Sequence, residues 1–223
     1  MISTIDASAF NYSNEIYETE FKQILAGITE CYKMMIKDNI KVPNNENGIR
    51  DILYLEYLRK QEIRLKVGLI EYRIDRETQE DHTNGRVDLR IFSKNDFENY
   101  DAIYIIECKR LDNTNLTGMS GLNGEYINNG IQRFVSNYYS SYYNVNGMIG
   151  FVVQQLDILD NIQKINQLLE NNFPNTNTVN YIESIDFIED FEYSFYSIHR
   201  SSNKDIKLYH LMFDFSDNIE EQN

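Results

Sequence analysis

The chain has 223 residues, 42% of them hydrophobic and 13% aromatic, and its formal net charge at pH 7 is −14. This composition supports one folded domain with a real core and excludes a globally disordered chain. No apolar run approaches the ~20 residues of a membrane-spanning helix, the N-terminus lacks the features of a signal peptide, and two cysteines make no disulfide framework, so we expect a cytoplasmic protein without a membrane partner.

The cations are concentrated in the middle of the chain. Residues 50–133 hold 13 basic and 15 acidic side chains, whereas residues 134–223 hold 4 basic and 13 acidic ones. Because phosphate contacts need Lys and Arg, the strongly negative total excludes a generally basic protein that coats nucleic acid. A local cationic groove within the middle stretch is still compatible with these numbers.

Two helices are predicted at the start of the chain. Apolar residues recur at helical spacing over residues 15–38. A loop around Pro43 follows, and a second helix then begins near Glu46, with Asn44 and Asn45 as candidate caps.

Three strands are predicted next, over residues 68–75, 86–93 and 102–109. The Asn84-Gly85 pair between the first two is a strong signal for a hairpin turn. The third run is almost wholly apolar, which is typical of a strand buried on both faces.

The second half of the chain alternates helices and strands. Helices are predicted over residues 124–143 and 156–169, a buried strand over 148–153, and a terminal strand pair over 193–199 and 206–215. The core order is therefore helix, strand, strand, strand, helix, strand. A meander followed by a crossover helix predicts an α/β fold with a mixed sheet and helices on both faces.

Charged residues occupy positions in the second and third strands where a sheet normally buries apolar side chains. Residues two apart in a strand point to the same face, so Glu107 and Lys109 project together while Cys108 faces the other way. If these strands pair as neighbours, Asp88 approaches Glu107 across the ladder. Two carboxylates at a partly desolvated site repel each other, so the pattern favours a bound Mg²⁺ or Mn²⁺.

Lys109 beside this carboxylate pair adds a positive charge that can stabilise an attacking hydroxide or a phosphoryl group. A metal lowers the pKa of bound water and aligns it with the scissile bond. Phosphodiester hydrolysis is the chemistry that uses all three groups. The alternative for Asp88 and Lys109 is a cross-strand ion pair, which contributes little stability.

Asp88, followed 19 residues later by Glu107-Cys108-Lys109 at the end of an apolar strand, resembles the motif of the PD-(D/E)xK nuclease superfamily. The resemblance implies a restriction-endonuclease-like core over residues 45–155, with a helical elaboration at 1–44 and a C-terminal helix and strand pair at 156–223, all in one domain. Val87 stands where the name-giving motif has Pro, a position that varies widely in the family.

By this resemblance, Asp88, Glu107 and the Cys108 carbonyl are metal ligands, and Lys109 orients the attacking water. Many members add an acidic residue from the helix before the first strand, for which Glu46 is the best match.

Asp51 and Glu56 are weaker matches for that acidic residue, and a first-turn acid favoured by the helix dipole is an equal alternative for Glu46. Gln132 corresponds to a catalytic Gln that some members carry on the helix after the catalytic strand, and Arg133 is a candidate for phosphate or base contacts. Arg110 and Arg86 complete the predicted substrate-binding set. A solvated helix face is the alternative for Gln132 and Arg133.

Other polar and aromatic groups carry weaker predictions. Glu71 either lines the same cleft or points outward. His199 and His210 are expected to face each other in a structural role, and His82 has no metal-ligand spacing to either of them. The tyrosines of the run 138–143 either stack on nucleic-acid bases or pack as an aromatic helix face.

Two functions of different classes follow from these observations. The first is a Mg²⁺-dependent nuclease that hydrolyses DNA, in host defence, repair or a mobile element, with a homodimer as a compatible assembly. The second is a catalytically silent module of the same fold, in which the acidic residues 134–223 bind a basic protein partner.

Overall fold

A computed structural model describes residues 8–79, 86–92, 103–136, 138, 143–202 and 204–220. It contains one mixed sheet of seven strands with helices packed against both faces, which confirms the predicted α/β class. The helices are α1 (Ser8–Lys37), α2 (Glu46–Ile52), α3 (Gln61–Lys66), α4 (Leu122–Tyr126), α5 (Gln132–Val135) and α6 (Ile158–Asn171). The strands are β1 (Arg73–Gln79), β2 (Arg86–Phe92), β3 (Ile103–Leu111), β4 (Val145–Val152), β5 (Thr178–Ser184), β6 (Ser194–Ser201) and β7 (Lys204–Asp214).

The strand order across the sheet is β1-β2-β3-β4-β7-β6-β5. The central strands β3, β4 and β7 are parallel, and each flank is an antiparallel meander. All eight residues of β4 are buried, as expected of a parallel strand covered on both faces. Because β7 pairs directly with β4, the strand pair predicted at the C-terminal end is a part of the central sheet.

Two apolar cores lie on opposite faces of the sheet. Helix α1 covers one face with a stripe at helical spacing that includes Phe21, Leu25 and Ile28, all fully buried. The other face is covered by α4, α5 and α6. Over the described residues, no helix combines the length and the apolar content that a membrane crossing requires.

The first strand begins later than the sequence predicts. Residues 68–72 form a turn in which Gly68 has φ +75, a backbone conformation that suits glycine. The guanidinium of Arg64 donates hydrogen bonds to the carbonyls of Leu69, Ile70 and Tyr72, so these groups serve the turn and β1 starts only at Arg73. The predicted Asn84-Gly85 turn lies outside the described residues.

Two further differences concern the second half of the chain. The helix predicted over residues 124–143 ends as a helix at Val135. Strand β5 was not predicted, and it forms one edge of the sheet. At that edge, the Asn166 side chain of α6 accepts from the Ile182 N–H and donates to the Ile182 carbonyl, at 2.9 and 2.8 Å.

Two π-helical turns extend the helices that stand next to β2 and β3. Leu53–Leu58 continues α2, and Ile127–Ile131 joins α4 to α5. A π turn is wider than the 3.6-residue α-helical turn, because its hydrogen bonds span five residues instead of four. Such turns are frequent at functional sites, and here the second one, Ile127–Ile131, lies next to β3 and contributes Asn129 to a cleft beside the charged residues.

Candidate active site

Asp88 is held at the start of β2 by hydrogen bonds from two other elements. Its Oδ1 accepts from Arg50 Nη1 at 2.6 Å, and its Oδ2 accepts from the Cys108 backbone N–H at 2.8 Å. The last backbone pair in the ladder between β2 and β3 is Leu89 with Ile106, so Asp88 and Glu107 occupy the next positions along the two strands. The strand register therefore places these two carboxylates next to each other, as the sequence predicts.

Arg50 is the residue of this cluster that the sequence did not single out. It lies on α2 with its side chain only 2% exposed, and it also contacts Asp51 at 2.9 Å and Glu77 at 2.8 Å. Burial alone would lower the pKa of Arg50, but hydrogen bonds to Asp88 and Asp51 outweigh it and raise the pKa. A signal was present, because Arg50 follows Glu46 by four residues and therefore shares its helix face.

Glu107 and Lys109 lie side by side on one face of β3, as strand periodicity predicts. Glu107 is 1% exposed and Lys109 is 7% exposed. Lys109 Nζ donates to Glu107 Oε1 at 2.7 Å, and Arg133 Nη1 donates to the same oxygen at 2.9 Å. Lys109 Nζ also donates to the Cys108 carbonyl at 2.7 Å. The buried Glu107 carboxylate is therefore paired with two cations, Lys109 from β3 and Arg133 from α5.

The charge state of Lys109 follows from its surroundings. Burial alone would lower its pKa, but the carboxylates of Glu107, Asp88 and Glu46 outweigh that effect and raise the pKa above its ordinary value. Lys109 is therefore an ammonium that donates hydrogen bonds, and it is not poised to take a proton from water.

Glu46 reaches the same place from the first turn of α2. Its Oε1 accepts from Lys109 Nζ at 3.1 Å, and its Oε2 accepts from the Arg110 backbone N–H at 3.3 Å. Asp51 and Glu56, the weaker candidates for the acidic residue assigned to Glu46, form other ion pairs. Asp51 pairs with Arg50 and Arg76, and the exposed Glu56 pairs with Lys60.

These residues line a cleft of about 430 Å³ at the edge of the sheet where β2 starts and β3 ends. Its wall on the crossover side is one helix face, formed by Glu125, Asn129 and Arg133 at a spacing of four residues across the π turn. The full lining consists of Asn45, Glu46, Asn47, Arg86, Asp88, Glu107, Lys109, Arg110, Leu122, Glu125, Asn129 and Arg133.

The predicted substrate-binding residues Arg86, Arg110 and Arg133 all line this cleft, whereas Gln132 is not among its lining residues. Arg110 is anchored through Nη1, which donates to the Asn44 carbonyl at 2.8 Å and to Asn44 Oδ1 at 2.7 Å. Gln132 begins α5 and is half-buried one position away from Arg133. Glu71 precedes β1, is exposed and does not line the cleft.

Gly124 allows α4 to start close to the loop before it. A Cβ at this position would lie 2.0 Å from the Met119 carbonyl oxygen, a distance that real atoms do not reach. The helix wall of the cleft can therefore approach the loop only with glycine at this position.

Cys108 points away from the cleft into the core beneath α1, as predicted. Burial raises the pKa of its thiol well above the ordinary value, so the sulfur stays protonated and is not a nucleophile. Its main-chain carbonyl is the atom that faces Lys109.

The oxygen atoms around Lys109 are the candidate ligands for a hard divalent cation. Within the described residues, no group of three or more His, Cys, Asp or Glu side chains is arranged to hold a metal. Asp88, Glu107 and the Cys108 carbonyl supply only oxygen, the donor that Mg²⁺ and Mn²⁺ prefer. The Lys109 ammonium bridges Glu107 Oε1 and the Cys108 oxygen, so these two atoms already hold a positive charge between them. These oxygens are of the type that Mg²⁺ and Mn²⁺ bind, and a divalent ion would have to displace the Lys109 ammonium from the two atoms that it bridges.

The two C-terminal histidines belong to a buried hydrogen-bonded chain outside the cleft. Ser197 Oγ lies 2.8 Å from both His199 Nε2 and His210 Nε2, so the rings face a shared hydroxyl. His210 Nδ1 lies 2.8 Å from the Tyr126 hydroxyl, and His199 Nδ1 lies 3.2 Å from the Thr176 carbonyl.

A carbonyl only accepts, so the neutral His199 ring carries its proton on Nδ1, and its Nε2 then accepts from Ser197. Ser197 in turn accepts from His210 Nε2, and His210 Nδ1 accepts from Tyr126.

Of the tyrosine run, the structure describes Tyr138 and Tyr143, and the other tyrosines lie outside the described residues, as does His82. The Arg133 guanidinium carbon lies 5.5 Å from the centre of the Tyr138 ring, so this tyrosine stands beside the cleft. Tyr143 packs edge-on against Tyr17 of α1, with ring centres 5.1 Å apart.

Comparison with known proteins identifies no family for this chain. No family model matches the sequence, and neither a curated protein nor a solved structure matches it significantly. The geometry of the cleft is therefore the basis for proposing a function.

Proposed function

We propose that the chain is a Mg²⁺- or Mn²⁺-dependent nuclease that hydrolyses phosphodiester bonds of DNA in the cytoplasm. One observation carries the proposal: Asp88, Glu107 and Lys109 line a single cleft, although they come from two strands and were selected by spacing alone. The resemblance to the PD-(D/E)xK superfamily assigns these same three residues to its reaction.

Asp88, Glu107 and the Cys108 carbonyl would hold the divalent ion. When bound, such an ion lowers the pKa of a water molecule and neutralises charge on a phosphate. The chain's own contribution is orientation. Arg50 and the Cys108 N–H fix both oxygens of Asp88, and the buried face of β3 fixes Glu107.

The Lys109 ammonium is placed to orient the attacking water and to stabilise negative charge that develops during attack, because it is cationic and donates. Glu46 keeps Lys109 Nζ at the mouth of the carboxylate pair. Arg86, Arg110 and Arg133 provide positive charge along the cleft for the phosphates on either side of the scissile bond.

The test is incubation of the purified protein with circular DNA, linear DNA and RNA, with Mg²⁺, with Mn²⁺ and with a chelator. We expect metal-dependent cleavage of DNA that is lost in Asp88→Asn and in Lys109→Met. Matched controls are Asp75→Asn and Lys60→Met, which change exposed ion pairs outside the cleft and should cleave like the wild type. Cleavage that survives both cleft substitutions would refute the proposal.

A second function is favoured by the internal charge balance of the cleft. Asp88 is neutralised by Arg50 and Glu107 by Lys109 and Arg133, so the cluster is stable without a metal. The same fold would then be a silent module that binds a basic protein, and residues 183–192, which hold five acidic and no basic side chains, offer the complementary charge.

Calorimetry separates the two functions. The nuclease should bind Mg²⁺ or Mn²⁺ through Asp88 and Glu107, whereas the silent module should bind neither ion, should cut no substrate and should retain a basic partner. Metal binding that disappears in Asp88→Asn would eliminate the silent module.

A further inference from the structure

We infer that the cleft takes single-stranded DNA, or the unpaired end of a duplex, and rejects continuous duplex; this inference rests on the proposed nuclease function. The supply of positive charge around the cleft limits which form of DNA can bind. Duplex DNA carries one negative charge per ~1.7 Å of its axis, and a protein that grips it must neutralise several phosphates at once.

The lining of the cleft has no excess of positive charge. Among the described residues, four cations line it (Arg86, Lys109, Arg110 and Arg133), and four carboxylates line it as well (Glu46, Asp88, Glu107 and Glu125). Lys109 is committed to two of these carboxylates, and Arg133 donates to Glu107. The guanidinium groups of Arg86, Arg110 and Arg133 therefore set an upper limit of three phosphate contacts, and Arg133 makes one only while it also serves Glu107.

More than half of the cations outside the cleft already have carboxylate partners. Twelve of these cations lie in the described residues 8–79 and 86–92, and six of the twelve are paired: Lys22 with Glu18, Lys33 with Glu30, Arg50 with Asp88, Lys60 with Glu56, Arg73 with Asp75 and Arg76 with Asp51. Of the 21 Lys and Arg residues, the segments outside the described residues contain one, Lys94, together with seven acidic residues. Residues 134–223 contain four cations, and three of these are paired with carboxylates: Lys164 with Asp160, Arg200 with Asp205 and Lys207 with Glu18. A long duplex laid across the molecule would meet a surface that repels it.

The size and chemistry of the cleft suit a single strand. A volume of about 430 Å³ holds a ligand of roughly one or two nucleotides. Tyr138 beside Arg133, together with Leu122 in the lining, offers aromatic and apolar surface next to the cations. Unpaired bases can use such surface through stacking, which binds a strand without phosphate neutralisation. A duplex keeps its bases stacked on one another, so it gains no binding energy from this aromatic and apolar surface.

The number of phosphate contacts predicts how strongly the binding affinity depends on salt. For a single strand, the slope of log K against log salt is about −0.7 per phosphate contact, so three contacts give about −2. Affinity should then fall about 18-fold between 50 and 200 mM NaCl, whereas a duplex gripped at six to ten phosphates loses about 10³- to 10⁵-fold.

The experiment uses three fluorescein-labelled probes of one sequence: a 12-nucleotide single strand, the blunt 12-base-pair duplex, and that duplex with a five-nucleotide 3′ overhang. Anisotropy with chelator measures binding of the full chain, and a parallel assay with Mg²⁺ and Mn²⁺ measures cleavage. We expect the single strand and the overhang to bind at least tenfold more tightly than the blunt duplex and to be cut. Arg86→Gln and Arg110→Gln should each make the salt slope shallower by about 0.7, and Arg200→Gln, outside the cleft, should leave it unchanged.

The outcomes distinguish failure of the single-strand inference from failure of the nuclease proposal. Equal or tighter binding of the blunt duplex, or a single-strand slope of −5 or steeper, would overturn the single-strand inference and leave the nuclease proposal intact if metal-dependent cleavage occurs. Selective binding of the single strand without cleavage under any metal would overturn the nuclease proposal alone. Failure to bind or cut any of the three probes would overturn both.

Discussion

Acidification is expected to destabilise the protein through the buried chain that contains His199 and His210. Both rings are inaccessible to solvent. Burial lowers the pKa of His199 to about 4 and the pKa of His210 to about 3, from an ordinary value of 6.5. Protonation would also place a second donor on each ring, where Ser197 and the Tyr126 hydroxyl are arranged around one donor and one acceptor.

The direction of the effect follows from proton binding. The unfolded chain takes up a proton on each histidine near pH 6.5, whereas the folded chain does so only near pH 4 or 3. Stability from the two rings is therefore fully present above pH 6.5 and is lost as the pH falls below it. At pH 5.5 each ring costs about 1.4 kcal/mol, or about 2.8 kcal/mol together. This is a large part of a typical domain stability of ~5–15 kcal/mol.

Urea unfolding at pH 7.5 and 5.5 measures the loss directly. The wild type should lose about 2.8 kcal/mol, His199→Gln and His210→Gln should each lose about half of that, and the double variant should lose little. Because all four proteins carry the same carboxylates, the comparison isolates the histidines. A wild type whose free energy of unfolding is the same at both pH values, or a double variant that retains the full loss, would refute the reasoning.

Three further results are expected. Lys109→Met should abolish cleavage yet raise Mg²⁺ and Mn²⁺ affinity at least tenfold by calorimetry, because the ammonium competes for the two oxygens that it bridges; unchanged affinity would contradict that competition. Arg50→Met should lower the free energy of unfolding by about 3–5 kcal/mol, since it leaves Asp88 without its buried counter-charge, whereas the more exposed Arg76→Gln should cost less than about 1 kcal/mol; equal losses in urea would be inconsistent with this account. Gly124→Ala should cost about 1–3 kcal/mol, and a thermal scan that shows no loss would mean that the loop moves aside freely.

Strand periodicity was sufficient to predict the central part of the site. Glu107 and Lys109 share a face because they are two apart in β3, and Cys108 is buried on the other face for the same reason. The proximity of Asp88 and Glu107 was predictable because the two strands that carry them are consecutive in the chain and were expected to pair. These features depend on local spacing alone, which is why a single sequence contained them.

Features that depend on tertiary contacts were not predictable in this way. Strand β5 was missed because its apolar residues do not share a face. Val179 and Tyr181 are exposed, whereas Ile182 is buried on the other face, which also carries the polar, half-buried Thr178 and Asn180. The cleft wall contains Arg133 and not Gln132, because the helix rotation at that point depends on the π turn before it. Arg50 was missed because its spacing from Glu46 places it on the same helix face but does not show that its partner, Asp88, lies 38 positions further along.

The amide of Asn166 has a bearing on how copies of this protein could associate. By occupying both backbone groups of Ile182, it fills the outer rim of the sheet with a side chain from the same molecule. A second copy cannot add its own strand at that rim without first expelling the amide. Assembly by continuous β-sheet through β5 is thereby disfavoured, even though this strand exposes the apolar side chain of Val179 and the ring of Tyr181.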